Sequence, residues 1–313
     1  MKTVATETKR DFVSIADWSP EDLEALLNLS REIKEYPANF ERALQGKSVA
    51  MILEKPSLRT HVTFDIGINQ LGAHCVYLNK DDVNLGKRES LFDIARNLER
   101  WVDGVVVRTY AHDACVTMAA NMKIPMINAL TDREHPCQAV ADLLTFHEHI
   151  GEFRNRRMVF VGDGNNVCHS LMLMAAAMGM DFVAATPRGY LPSEDIFKEA
   201  SRIARGTGAT IDIVHNPKEA VRHADAIYTD VWVSMGQEEE KAARLEAFQG
   251  FQVDSRLMQR ARHNAIFMHC LPAHRGEEVS DEVMSSPQSV VFDQAENRLH
   301  TEKAILLTLL GSD

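Results

Sequence analysis

Four short segments carry side chains whose types and spacing suit chemistry on a small phosphorylated substrate. Lys55-Pro56-Ser57-Leu58-Arg59-Thr60 follows an apolar run and opens a helical pattern. A helix N-terminus presents unpaired N–H groups and a partial positive charge, so it is a ready anion site. Ser57 and Thr60 add hydroxyls and Arg59 a guanidinium fork that fits phosphate; an ordinary N-cap beside a surface arginine is the plain alternative. His135-Pro136-Cys137-Gln138 places His135 and Gln138 three apart, on one helical face, with a proline suited to the first helical position. Asp230-Val-Trp-Val-Ser234-Met235-Gly236 follows a strand pattern and supplies an acid able to accept from an ammonium group. Ile266-Phe-Met-His269-Cys270-Leu271-Pro272 delivers a histidine and a cysteine at a strand end, where open α/β sheets bind ligands. Each segment alone also reads as packing or a solvated loop. Their joint presence favours chemistry.

The elements that must position these residues are legible in outline. Ser19-Pro20-Glu21-Asp22 caps a first helix carrying Leu23, Leu26, Leu27 and Ile33. Strand patterns follow at Val49–Leu53, Cys75–Leu78, Gly104–Val107 and Pro125–Ile127, with helical patterns around 62–71, 90–101, 112–121 and 136–149. A polar segment, Gly151 to Arg157, interrupts the rhythm, which restarts with a strand at 158–161 and a helix at 166–178. Further strands are expected at 182–185, 210–214, 226–229 and 265–268, and a last helix over about 294–310. The fold class is therefore α/β, with two parallel-sheet domains and a cleft between them. Arg108, at the end of the third strand, can point into that cleft or simply reach water.

Bulk properties narrow the function. At 313 residues the chain is long enough for two cores, and 45% apolar with 25% charged residues is ordinary for a globular enzyme. A net charge of −11 argues against nucleic acid or an anionic membrane as partner. No stretch approaches the roughly 20 apolar residues of a membrane helix, and Met1 to Arg10 lacks the apolar core of a secretory signal, so a cytoplasmic location is expected. Five cysteines without a C-x-x-C pair suggest neither a disulfide framework nor zinc; Cys137 and Cys168 read as packing residues. Gly162-Asp-Gly164-Asn-Asn166 invites a dinucleotide reading, but Val167 stands where a third glycine belongs and no acid ends the next strand. An NAD-dependent dehydrogenase is disfavoured.

Taken in order, Ser-x-Arg-Thr, His-Pro-x-Gln, Asp-x-Trp-x-Ser-Met-Gly and His-Cys-Leu-Pro resemble the ornithine carbamoyltransferases, within the aspartate/ornithine carbamoyltransferase family. The similarity runs from about residue 10 to the C-terminus and includes Asp293 to His300. The resemblance implies carbamoyl transfer from carbamoyl phosphate to the side-chain amine of ornithine, giving citrulline and phosphate, with no cofactor and no metal. It implies a carbamoyl phosphate domain over residues 1–150, joined by a C-terminal helix at about 294–313 that crosses back, and an ornithine domain over 151–293. It places carbamoyl phosphate against Ser57, Leu58, Arg59, Thr60, Arg108, His135, Gln138, Cys270, the Leu271 carbonyl and Arg298. Arg108 and His135 take the carbamoyl oxygen and Gln138 the carbamoyl nitrogen. Asn84 stands in a loop that in the family reaches the phosphate of a neighbouring subunit, in keeping with a trimer or multiple of trimers. Asn166, Asp230, Ser234 and Met235 fall to ornithine. Cys270 and Asp230 are candidates to favour the neutral amine, and a phosphate oxygen can take the last proton.

The chain departs from the family pattern Ser-Thr-Arg-Thr-Arg at Leu58, which keeps its N–H but lacks a hydroxyl, and at His61, which lacks a permanent charge. Putrescine or an N-acylated ornithine as acceptor, and a non-catalytic subunit that only binds, are the rival readings. Nothing in the motifs separates arginine synthesis from arginine degradation.

Overall fold

The computed structural model describes residues 9–311 except 235 and 237, together with the backbone alone of residue 238. Nine strands are described, in two sheets whose pairings are all parallel. The first holds β1 (Ser48–Leu53), β2 (His74–Asn79), β3 (Gly104–Arg108) and β4 (Met126–Leu130) in the order β2-β1-β3-β4. The second holds β5 (Arg157–Val161), β6 (Asp181–Ala185), β7 (Ile211–Val214), β8 (Ala226–Thr229) and β9 (Ile266–His269) in the order β7-β6-β5-β8-β9. β3, β4, β8 and β9 are buried along their whole length, as expected of parallel strands covered on both faces.

Each sheet has one place where the strand order reverses. It lies between β1 and β3 in the first sheet and between β5 and β8 in the second. Crevices outside the carboxyl ends of strands open at such points. The Lys55–Thr60 loop and Arg108 follow β1 and end β3; the Gly162–Asn166 turn and Asp230 follow β5 and β8. Topology alone thus brings these residues to the two switch points.

The helices Pro136–Ile150 and Asn166–Met178 join the halves. The first is buried from Pro136 to Phe146 and the second from Val167 to Ala177, so both are apolar or satisfied all round rather than on one stripe. Leu143, Leu144, Leu171 and Met174 belong to one continuous core that reaches both sheets. The C-terminal helix, Val291–Leu310, packs against the helices Pro20–Glu35, Leu58–Gln70 and Pro136–Ile150 of the first half. At Gly67 an added Cβ would stand 3.1 Å from Lys303 Cγ, which shows how closely this helix lies.

Most expected elements are present with ends shifted by a few residues. The second helix begins at Leu58 rather than 62, because Ser57 caps it by accepting from the Thr60 N–H at 3.2 Å. The last helix begins at Val291 rather than 294. The helix Glu194–Thr207 was not among the expected elements: it buries only Ile196, Ala200 and Ala204, with Phe197 and Ile203 half-buried among charged residues. Cys137 and Cys168 are fully buried packing residues, as expected.

Candidate active site

Four cations converge where the two halves face each other. Arg108 closes β3, where the β3–β4 register shifts between Val107 and Arg108, and only 7% of it is exposed. Arg59, in the first turn of the helix Leu58–Gln70, donates to the Leu271 carbonyl beyond β9. Arg298, 1% exposed, is carried in by the C-terminal helix; its Nη1 donates to Gln138 Oε1 at 2.8 Å and its Nη2 to Thr60 Oγ1 at 3.3 Å. Lys55, buried over the ring of Tyr110 at 4.3 Å, completes the set and was not singled out in the sequence. Glu302, fully buried, accepts from Arg298 Nε at 2.9 Å and offsets part of this charge.

The charges show in the acidities. Burial first, then Arg298 and Arg59, push the Arg108 guanidinium down to about 10. Burial and the same arginines with Lys55 hold His135 well below the ordinary imidazole range, so its ring is neutral at physiological pH. His135 is fixed by its backbone N–H, which donates to Ser170 Oγ at 2.9 Å. Among the described residues, Arg108 Nε and His135 Nδ1 are buried without a hydrogen-bond partner. Buried polar atoms are rarely left so, and these two fit a polar ligand.

The opposite wall is built from strand ends of the second sheet. Asp230, 8% exposed, accepts from Cys270 Sγ at 3.1 Å, from the Val231 N–H at 2.8 Å and from Asn165 Nδ2 at 2.8 Å. Burial and this carboxylate push the Cys270 thiol well above its ordinary range. A thiol that donates to a carboxylate is a protonated thiol, which removes it as a covalent nucleophile. Arg244 pins the segment after β8: it bridges Asp163 at 2.8 Å, the Trp232 carbonyl at 3.1 Å and Glu240 at 2.9 Å.

The remaining expected residues divide. Ser57 is an N-cap and Thr60 is fully buried against Arg298. Leu58 points outward, 75% exposed, with its N–H in the first helical turn. His61 stacks on Tyr77 at 4.1 Å. Asn84 ends the short helix Lys80–Val83 in a left-handed conformation, φ 48°. Asn166 donates to the Thr131 carbonyl at 2.6 Å, across to the first half, and it is Asn165 that touches Asp230. Ser234 is half-buried and holds an interaction of its own; Met235 lies outside the described residues. The Gly-x-Gly turn has a packing cause: a Cβ on Gly164 would meet the Pro192 nitrogen at 2.1 Å. Only glycine fits there, with or without a nucleotide.

His269 is structural. Its Nε2 faces Glu278 at 3.2 Å, both residues are fully buried, and its Nδ1 accepts from the Leu271 N–H at 2.8 Å. Ligand atoms of Asp230, His269 and Cys270 lie within 4.8 Å of one another. With both ring nitrogens engaged, His269 could bind a metal only by releasing Glu278 or the Leu271 N–H.

Residues 10–148 match the family model for the aspartate/ornithine carbamoyltransferase carbamoyl-P binding domain, and residues 154–309 that for the Asp/Orn binding domain. The chain belongs to the aspartate/ornithine carbamoyltransferase family. Among members of this family, it is 52% identical over 286 residues to an ornithine carbamoyltransferase of Methanothermobacter thermautotrophicus, covering 91% of this chain and 94% of that one. It is 48% identical over 303 residues to that of Anoxybacillus flavithermus, covering 96% of each. The solved ornithine carbamoyltransferase of Pyrococcus furiosus superposes with a TM-score of 0.95 at 44% identity, over 99% of this chain and 100% of that one. The carbamoyltransferase family thus accounts for both sheets and for the helix that crosses between them.

Proposed function

We propose that this chain transfers the carbamoyl group of carbamoyl phosphate to the side-chain amine of L-ornithine, giving L-citrulline and phosphate. The observation that carries the reading is the cluster of half-buried Arg59 with buried Arg108, His135, Gln138 and Arg298, facing Asp230 and Cys270. Residues 1–150 with the C-terminal helix hold carbamoyl phosphate, and residues 151–293 hold ornithine.

The cations and the N-terminal N–H groups of the helix Leu58–Gln70 bind the phosphate, Leu58 through its N–H, with Ser57 and Thr60 beside them. Arg108 and neutral His135 face the carbamoyl oxygen. As the amine attacks, charge moves onto that oxygen, so donors fixed there stabilise the transition state more than the ground state. Gln138 and the Leu271 carbonyl receive the carbamoyl N–H groups. Asp230 and Ser234 take the α-amino group of ornithine, Asn166 its amino-acid end, and Met235 its aliphatic stem. The new C–N bond forms as the C–O bond to phosphate breaks, and the departing phosphate accepts the amine's proton. The thiol of Cys270, held by Asp230, lies beside the amine and favours its neutral form.

Oligomerisation belongs to the same reading. β2 is an edge strand, and Tyr77 on it lies on the outside with Val62 and Ile66 of the neighbouring helix, 41%, 49% and 43% exposed. An apolar edge of this kind suits contact with another copy, in a trimer or multiple of trimers with Asn84 reaching the neighbouring site. No helix among the described residues is long and apolar enough to cross a membrane. We place the enzyme in the cytoplasm.

The direct test is formation of phosphate and the matching carbamoylated amine by purified protein from carbamoyl phosphate with ornithine, putrescine or N-acetylornithine. Turnover with ornithine is expected. Turnover with either other amine and none with ornithine would overturn the assignment of the acceptor.

A further inference from the structure

Gln138 stands between a group that can only accept and a group that can only donate. Its Nε2 donates to Asp142 Oδ1 at 2.8 Å, and its Oε1 accepts from Arg298 Nη1 at 2.8 Å. Gln294 repeats the arrangement from the C-terminal helix: its Nε2 donates to the same Asp142 oxygen at 2.8 Å, and its Oε1 accepts the His269 N–H at 2.9 Å. All four side chains are buried: Asp142 is 0% exposed, Gln294 and Arg298 1%, and Gln138 2%. The two ends of a glutamine amide differ only in what they can bond. A carboxylate accepts, whereas a guanidinium or a backbone N–H donates, so each amide here has one permitted sense. Asp142 is pushed up to about 6 by burial, against the lowering effect of both amide bonds, and is therefore ionised above neutral pH.

We infer that Asp142 is a positioning residue which fixes the amide sense of Gln138, so that the site selects a donor bearing N–H groups over an acyl phosphate ending in methyl. The inference rests on the reading of Gln138 as the partner of the carbamoyl nitrogen. Gln138 Oε1 has two lone pairs and Arg298 uses one. A carbamoyl N–H can take the second. A methyl group cannot, and would leave that lone pair buried and unpaired, which is how a polar site rejects an analogue of the same shape. Were the amide reversed, its NH2 would face the ligand and the carbamoyl nitrogen would meet a donor. Through Gln294 the same carboxylate also fixes the His269 N–H, one residue before Cys270. One buried anion thereby orients a group on each wall of the cleft.

Phosphonoacetamide and acetonylphosphonate differ only in NH2 against CH3 on the carbonyl. Each is titrated by calorimetry into the full chain, with methylphosphonate as a probe of the phosphate end alone. The parent should bind the amide at least about tenfold more tightly than the ketone. In Asp142→Asn the carboxamide can donate as well as accept, so the sense of Gln138 is held from the Arg298 side alone. That ratio should fall to within about threefold, while methylphosphonate affinity moves by less than about threefold. If the Asn chain fails to unfold cooperatively, Asp142→Leu, which removes the acceptor, takes its place with the same expectation. No amide preference in the parent would remove the reading of Gln138 and this inference with it. A preference lost in Gln138→Leu but kept in full in the Asp142 variant would overturn the inference alone.

Discussion

The two walls of the cleft are built on different plans. On the first, Arg298 is held on its helix by Gln138, Thr60 and Glu302, and the backbone of neutral His135 by Ser170. On the second, only Asp230 is held in this way. Ser234 lies outside regular structure after β8, where Arg244 holds the Trp232 carbonyl. Recognition of a dianion is thus pre-organised, whereas part of the amino-acid pocket is assembled from a loop. Pre-organised donors act without reorganising during the reaction. A loop that completes the site around a second ligand couples closure to specificity. The difference teaches that carbamoyl phosphate should bind to a ready site, and ornithine to one that carbamoyl phosphate has helped to close.

The comparison can be broken most severely at Asp230. Asp230→Asn should abolish citrulline formation and leave carbamoyl phosphate affinity intact, because only the amino-acid wall loses its charge; steady-state kinetics with calorimetry check both. If this variant turns over normally, Asp230 is structural. A smaller but still large effect is expected on the other wall. Arg59→Ala should weaken carbamoyl phosphate binding by several kcal/mol, since charge-assisted bonds are worth roughly 1.5–3 kcal/mol each. Unchanged affinity in calorimetry would remove Arg59 from the phosphate site.

The junction between the walls offers a pH test. Glu134, fully buried, accepts from Ser14 at 2.5 Å, from the Ile15 N–H at 3.2 Å and from Ser170 at 3.2 Å. Burial raises it to about 7 from an ordinary 4.5. A carboxyl group raised in the folded state contributes stability that is full below its unfolded value and lost as pH rises through the folded one. Stability of the parent should therefore decline between about pH 4.5 and 7 from this group. Glu134→Gln should flatten that decline in denaturant melts at several pH values. An equal slope in both proteins would show that the proton is not taken up there.

The smallest effect is expected at Leu58. Its side chain packs on little, being 75% exposed, so Leu58→Thr can add a hydroxyl without opening a cavity. A neutral hydrogen bond is worth about 0.5–1.5 kcal/mol, so the Michaelis constant for carbamoyl phosphate should fall by up to about tenfold, with little change for ornithine. A rise would show that Leu58 meets something the hydroxyl does not suit.

What was legible in the sequence was local. The Ser57 cap, the proline at the start of the helix Pro136–Ile150 and the apolar strand runs each declare themselves within a few residues, and parallel topology carries their ends to the switch points. What was not legible depends on partners far along the chain. Gln294 and Asp142 are 152 residues apart, and nothing in either neighbourhood marks them as one network. Lys55 reads as a loop cation until Tyr110 covers it. Glu278 sits in a charged run, yet is fully buried against His269. Asn165, the neighbour of the expected ornithine ligand Asn166, holds Asp230, a contact that only the geometry after β5 reveals.

The central claim is that the two walls hold the two substrates side by side, so that one molecule carrying both ends should satisfy both walls. A bisubstrate analogue joining a phosphonate to ornithine, titrated by calorimetry, tests it most directly. The account predicts binding far tighter than that of ornithine alone, because the second contact becomes intramolecular. It also predicts that Arg59→Ala and Asp230→Asn each lose most of that gain. Binding of the analogue no tighter than ornithine, or insensitive to either substitution, would contradict the account.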